Sequence, residues 1–248
     1  MKNSEEENIS SSDDPKFTPH LYLQRYEFVY QTLLDFHPQI KKVVDFGCAE
    51  GNFLRYLKKI FLEEVALVDV DDIKLEYCIE NARPLMWDYV FGCETELTVN
   101  IFKGSVSDSD IRLSDFDAVT MIELIEHLPN DVLAKLPQNI FGFIKPKIVV
   151  VTTPNFEFNV LFSKMKVEGK RFRHPDHKFE WNRNQFKIWC DNIIKMYPQY
   201  SYTITGVGHP PQHSQYVGWC TQIAIFICDS KNDNNNKINC GNSLEGST

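Results

Sequence analysis

Two periods of apolar residues alternate along this chain. Short runs that are apolar throughout, such as Val43-Val44 and Val65-Ala66-Leu67-Val68, mark strands buried on both faces. Between them, apolar residues recur at helical spacing, as in Leu21, Phe28, Val29, Leu33, Leu34 and Phe36. The pattern predicts a helix from Leu21 to Phe36, then strand 42–46, helix 52–60, strand 64–69, helix 73–81 and strand 98–102. Strand 116–122, helix 131–143, strand 147–152, helix 183–196 and strands 201–207 and 220–228 complete it. Strands alternating with helices predict an α/β fold with a mostly parallel sheet covered on both faces, closed by an antiparallel hairpin. Residues 1–15 are acidic and Ser-rich, and residues 230–248 are rich in Asn, Ser and Gly. Both are expected to be disordered tails around one domain, residues 16–229.

Composition narrows the function classes. A chain of 248 residues that is 43% hydrophobic supports one well-buried core. No apolar run approaches the roughly 20 residues of a membrane span, and residues 1–7 hold no apolar signal core. Seven cysteines, an odd number without a Cys-x-x-Cys pair, suit reduced thiols in a cytoplasmic protein. Cys48, Cys190, Cys220 and Cys228 lie in apolar contexts and are expected to pack rather than react. The net charge is −8, of which the tails carry a large part: residues 1–15 hold one Lys against five acids. The core lacks the basic excess of a protein that grips long nucleic acid, so any such contact is expected to be local.

Candidate chemistry concentrates just past two of the strands. Strand 42–46 runs into Asp45-Phe46-Gly47-Cys48-Ala49-Glu50-Gly51, and the two glycines allow close backbone approach to a ligand. A helix N-terminus near Asn52 would offer unpaired N–H groups to it. A nicotinamide site prefers Gly-x-Gly-x-x-Gly, and only Gly47 fits that spacing. The second strand ends in Asp69-Val70-Asp71-Asp72, where an acid suits a ribose hydroxyl pair or caps the next helix. After strand 116–122 comes Glu123-Leu124-Ile125-Glu126-His127. On a helical turn, Glu123, Glu126 and His127 share a face and can grip one divalent cation, although such spacings are more often solvated helix faces. His174 and His177 follow in His174-Pro175-Asp176-His177-Lys178-Phe179-Glu180-Trp181.

The glycine turn resembles the first motif of S-adenosylmethionine-dependent methyltransferases. Several segments together resemble the Hen-type small-RNA 2′-O-methyltransferases, which act on the 3′-terminal ribose. They are Phe17-Thr18-Pro19-His20-Leu21-Tyr22-Leu23-Gln24-Arg25-Tyr26, the Asp45–Gly51 turn, Lys103-Gly104-Ser105-Val106, Ile122-Glu123-Leu124-Ile125-Glu126-His127-Leu128, Thr153-Pro154-Asn155, the Asp176–Trp181 segment, Gly206-Val207-Gly208 and Gly218-Trp219-Cys220-Thr221-Gln222-Ile223. The likeness covers about residues 16–228. It implies a Rossmann-like methyltransferase fold, with S-adenosylmethionine contacts at Asp45, Gly47, Asp71 and Ser105. It also implies Mg²⁺ or Mn²⁺ held by Glu123, Glu126, His127 and His177, chelating the terminal 2′- and 3′-hydroxyls.

In two respects the sequence departs from that pattern. The turn reads Gly-Cys-Ala-Glu-Gly where many relatives have Gly-Cys-Gly. The long N-terminal RNA-binding extensions of plant members are missing, which resembles the short animal form acting on single-stranded Piwi-interacting RNA. The expected partners are therefore the 3′ end of a small RNA and a Piwi-type Argonaute, in the cytoplasm or its RNA granules, with the enzyme a monomer. Arg171, Arg173 and Lys178 are expected near the terminal phosphates. Phe172, Phe179 and Trp181 either stack bases or pack in the core, and Thr153-Pro154-Asn155 either lines the pocket or forms a turn. His20, His37, His209 and His213 are expected to be structural or on the surface. The competing classes are a methyltransferase for proteins or small molecules, a metal hydrolase, and a binding module without catalysis. A zinc hydrolase would want His where Glu123 stands.

Overall fold

The structure, a computed structural model, describes residues 14–37, 39–84, 96–163 and 172–229. The expected tails therefore lie outside the described residues, Asp14 and Pro15 excepted. Seven strands form one sheet: β1 (Lys42–Phe46), β2 (Glu64–Asp69), β3 (Thr98–Lys103), β4 (Ala118–Ile122), β5 (Ile148–Pro154), β6 (Tyr200–Val207) and β7 (Thr221–Cys228). Their order is β3-β2-β1-β4-β5-β7-β6. The first five run parallel, and β7 pairs antiparallel with both β5 and β6. This is the sheet and closing hairpin that the apolar pattern predicts.

Neighbouring residues on each inner strand bury on opposite faces, which explains the continuous apolar runs. On one face Val43, Val65, Leu67, Ala118 and Val150 pack under α1 (Leu21–Asp35), α2 (Leu54–Leu57) and α3 (Asp72–Ala82). On the other, Val44, Phe46, Val119, Met121 and Val151 pack under α4 (Asn130–Pro137), the turns after it and α5 (Arg183–Met196). Cys48 and Cys190 are buried in these cores, and Cys220 in a smaller cluster with Phe158 and Val217, as expected of packing residues.

Three elements differ from the pattern. Helix 52–60 shrinks to the four residues of α2, because the bonds around it step back three residues rather than four, as from Lys59 N–H to Tyr56 O. Helix 131–143 becomes α4 followed by π-helical turns at Gln138–Ile144. Pro137 has no N–H to give Leu133, and the turns after it widen until Lys145 N–H reaches back five residues to Ile140 O. Glu123 lies outside any helical turn: its φ is +51°, and the 3₁₀ turn behind it spans only Ile125–His127.

Chain order leaves the sheet leftward from β1 to β3 and resumes at β4 on the other side of β1. The loops after β1 and β4 therefore part above the strand ends, where open α/β sheets hold their ligands.

Candidate active site

A cleft of about 810 Å³ opens at this point. Asp45, Gly47, Asp69, Asp71 and Ser105 line one half, and Glu123, Glu126, His127, His174 and His177 line the other. All eight residues expected at the site thus face one cavity.

The glycine turn is folded by left-handed backbone. Gly47 and Gly51 both have φ of +74°, and Ala49 between them has +47°. Gly47 and Cys48 donate N–H bonds to Val68 O, tying the turn to the end of β2. A Cβ on Gly47 would sit 2.8 Å from Leu124 Cδ1, and one on Gly51 2.8 Å from Cys78 Sγ. The glycines are thus required by backbone conformation and by their protein neighbours. α2 is only four residues long, and Asn52 and Phe53 at its start line the cleft together with the turn.

The acids of this half have distinct duties. Asp71 caps α3, accepting from Ile73 and Lys74 N–H. Asp69, at the tip of β2, accepts from Ala49 N–H at 2.9 Å and Asp71 N–H at 3.0 Å, and so joins the two loops. Asp45 is 3% exposed and accepts from Thr120 Oγ1 at 2.7 Å. Burial pushes its carboxyl up to about 7, with Thr120 pulling down and the charge of Asp69 adding to the rise.

The other half gathers nitrogen and oxygen donors. One ligand atom each from Glu126, His127 and His177 lies within 4.8 Å of the other two. Glu126 is fully buried and accepts from Thr153 Oγ1 at 3.0 Å, while its Oε1 has no hydrogen-bond partner. Burial, followed by the charge of Glu123, holds its carboxyl well above the usual range. Burial, then His177 and His174, lowers the His127 imidazole to about 4, so it is neutral and able to ligate near pH 7. A buried carboxyl with one orphaned oxygen, clustered with two imidazoles, fits a divalent cation of intermediate softness.

Glu123 lies outside this trio. Its left-handed backbone turns the carboxylate toward Thr152, which donates at 2.9 Å, and Arg25, 3.4 Å away. His174 is exposed, with its ring 5.6 Å from that of His177.

Backbone bonds bring in His177 from fifty residues away. Lys178 N–H donates to Glu126 O at 2.8 Å, and Trp181 bridges to Asn155 at the end of β5. Arg173 is absorbed into this structure. Its guanidinium donates to the carbonyls of Asn155 and Cys220 and to Asn159, so it is not free for phosphates. Lys178 is exposed, and Arg171 lies outside the described residues. Phe179 and Trp181 stack on each other at 4.3 Å and pack against the core rather than await bases. Thr153 supports Glu126, and Asn155 caps the 3₁₀ turn Phe156–Leu161, so this segment serves the site from behind. Glu180 has no role in the reading of the motifs, yet it is buried and contacts His177 Nδ1 at 2.6 Å. Burial alone would raise its carboxyl, but donors from His177, Asn159 and Arg173 outweigh that and hold it below the usual range. The signal was present as a carboxylate three residues after His177.

Residues 20–193 match the methyltransferase-domain family. The small RNA 2′-O-methyltransferase of Drosophila melanogaster is 48% identical over 215 residues, covering 85% of this chain and 55% of that protein. The chain thus spans about half the length of the curated relatives it matches. The crystal structure of small RNA methyltransferase HEN1 superposes with a TM-score of 0.77 at 29% identity, over 92% of this chain and 27% of that one. The methyltransferase domain of bacterial CtHen1-C is 31% identical with a TM-score of 0.68, over 84% of this chain and 99% of that one. The chain belongs to the methyltransferase-domain family and, within it, to the Hen-type small RNA 2′-O-methyltransferases.

Proposed function

We propose that this chain transfers a methyl group from S-adenosylmethionine to the 2′-oxygen of the 3′-terminal ribose of a single-stranded small RNA, with a divalent cation at Glu126, His127 and His177. The observation that carries the reading is the cluster of Glu126, His127 and His177, with one buried Glu126 oxygen left without a hydrogen bond, in the same cleft as the glycine turn. A methyltransferase for proteins or small molecules has no need of such a trio.

Each group has a task. Asp45, Gly47, Asp69, Asp71 and Ser105 would hold the cofactor, with Asp69 placed at the strand tip where a ribose hydroxyl pair is met. Glu126, His127 and His177 would hold Mg²⁺ or Mn²⁺, and Glu123 is the fourth proposed ligand, now engaged by Thr152 and Arg25. When bound, the cofactor supplies an electrophilic methyl, and the cation lowers the pKa of the vicinal ribose hydroxyls and orients them. The remaining catalysis is alignment of carbon and oxygen by the two halves of the cleft. Piwi-interacting RNA delivered by an Argonaute, in the cytoplasm, is the setting we assign to it.

The test is transfer of labelled methyl groups to RNA ending in a 2′,3′-diol. Activity should vanish in EDTA and on ends carrying a 3′-phosphate or an existing 2′-O-methyl. Full activity in EDTA, or equal activity on blocked ends, would overturn the reading.

A further inference from the structure

The neighbourhood of His177 has a hydrogen-bond order that can be worked out one proton at a time. Arg173 has only donors to offer. Its Nε–H faces Asn159, which must present its amide oxygen. The amide nitrogen of Asn159 therefore faces Glu180 Oε2, at 2.6 Å, and donates to it. Glu180 Oε1 accepts the backbone N–H of Arg173 at 2.7 Å. Both carboxylate oxygens are thus acceptors. The remaining contact, from His177 Nδ1 to Glu180 Oε1 at 2.6 Å, must have the proton on the imidazole. Nδ1 is then the donor, and in the neutral ring Nε2 holds the lone pair.

The arrangement is buried and anchored. The side chains of His177 and Glu180 are 8% and 0% exposed. Arg173 ties the network to the carbonyls of Asn155 and Cys220, at the ends of the paired strands β5 and β7. A histidine with Nδ1–H committed in this way offers Nε2 to a cation, and carboxylate partners of this kind set both tautomer and ring orientation.

We propose that Glu180 is the positioning residue of the cation site, fixing His177 as the Nδ1–H tautomer so that Nε2 faces Glu126 and His127. The inference rests on the cation reading above only for its consequence. The tautomer itself is a property of the metal-free protein. Arg173 and Asn159 are the outer members of the device, orienting the carboxylate that orients the ring. If Glu180 were merely a buried acid, its loss would lower stability and leave the imidazole proton where it is.

The experiment uses the full chain and has two readouts. Nitrogen-15 spectra of the metal-free protein report which ring nitrogen of His177 is protonated, and calorimetry with Mn²⁺ alone reports affinity. The parent should show Nδ1–H, and Glu180→Ala should lose it and bind Mn²⁺ about 10- to 100-fold more weakly. If Glu180→Ala fails to fold, the pair Glu180→Gln with Asn159→Asp decides the matter. That double variant restores every donor and acceptor and should recover the Nδ1–H tautomer, whereas Glu180→Gln alone sets two amide donors against each other and should disturb it. A parent protein with Nε2–H, or a tautomer unchanged in Glu180→Ala or Glu180→Gln, overturns the proposal. A parent that shows Nδ1–H but binds no Mn²⁺ overturns the cation reading and leaves the positioning role of Glu180 standing.

Discussion

A single buried carboxyl shows how site chemistry and stability are linked. Asp45 is raised from the ordinary 3.8 to about 7, chiefly by burial. Between those values the folded protein keeps a proton that the unfolded chain has lost. Its contribution is therefore fully present below about pH 4 and is lost as pH rises through 7. Asp45→Asn is neutral throughout and can still accept from Thr120. The melting temperature of this variant, relative to the parent, should rise between pH 4 and pH 8, by the equivalent of roughly 2–4 kcal/mol. A gap that stays constant with pH would mean that Asp45 is ionised and solvated. At this scale the sequence was informative about residue identity and silent about geometry. Asp45, Gly47, Glu126 and His127 could be picked out because they fall in short motifs beside the ends of apolar strands, and His177 only through its pairing with the second of those motifs. That Asp71 caps a helix while Asp69 bridges two loops depends on a difference of two residues in a turn, which no periodicity encodes.

Elements were legible where burial dictates pattern. The inner strands must be apolar on both faces, and their bounds at Lys42–Phe46 and Glu64–Asp69 coincide with the apolar runs. What periodicity missed is backbone of the wrong hand or pitch. Glu123 at φ +51° breaks the helical turn that would have aligned it with Glu126 and His127, and only those two meet His177. Ala49 at φ +47° is the same kind of residue, in a turn that a glycine would adopt without steric cost. Left-handed backbone costs an alanine about 1–2 kcal/mol, against the 0.5–1 kcal/mol of added chain freedom in glycine. Ala49→Gly should therefore stabilise the protein by roughly 0.5–1 kcal/mol, with cofactor affinity unchanged or better. Urea unfolding that shows a loss of stability would mean the turn is not under strain.

The charge of the whole molecule bears on how RNA reaches the cleft. Besides the buried carboxyls of Asp45 and Glu126, five acids line it (Glu50, Asp69, Asp71, Glu123 and Asp176) against the cations Arg25 and Lys74. Even with the acidic tail set aside the rest of the chain has no basic excess, so this surface repels a phosphodiester chain. Most proteins that bind nucleic acid do so more weakly as divalent salt rises, because the added ions compete for phosphates. Here the proposed cation is part of the recognition surface, so the trend should reverse for one kind of end only. RNA with a free 2′,3′-diol should bind more tightly as Mn²⁺ rises from micromolar to millimolar levels. RNA ending in 3′-phosphate should bind weakly throughout and no better with metal. Fluorescence anisotropy with a catalytically idle cofactor product in the cleft measures both curves. Identical curves for the two ends would place the cation outside substrate recognition. Weak binding of the diol end even at saturating Mn²⁺ is expected, since few phosphates can be neutralised by this surface. Affinity beyond that must come from whatever protein presents the RNA, which is why a delivering partner belongs to the proposal.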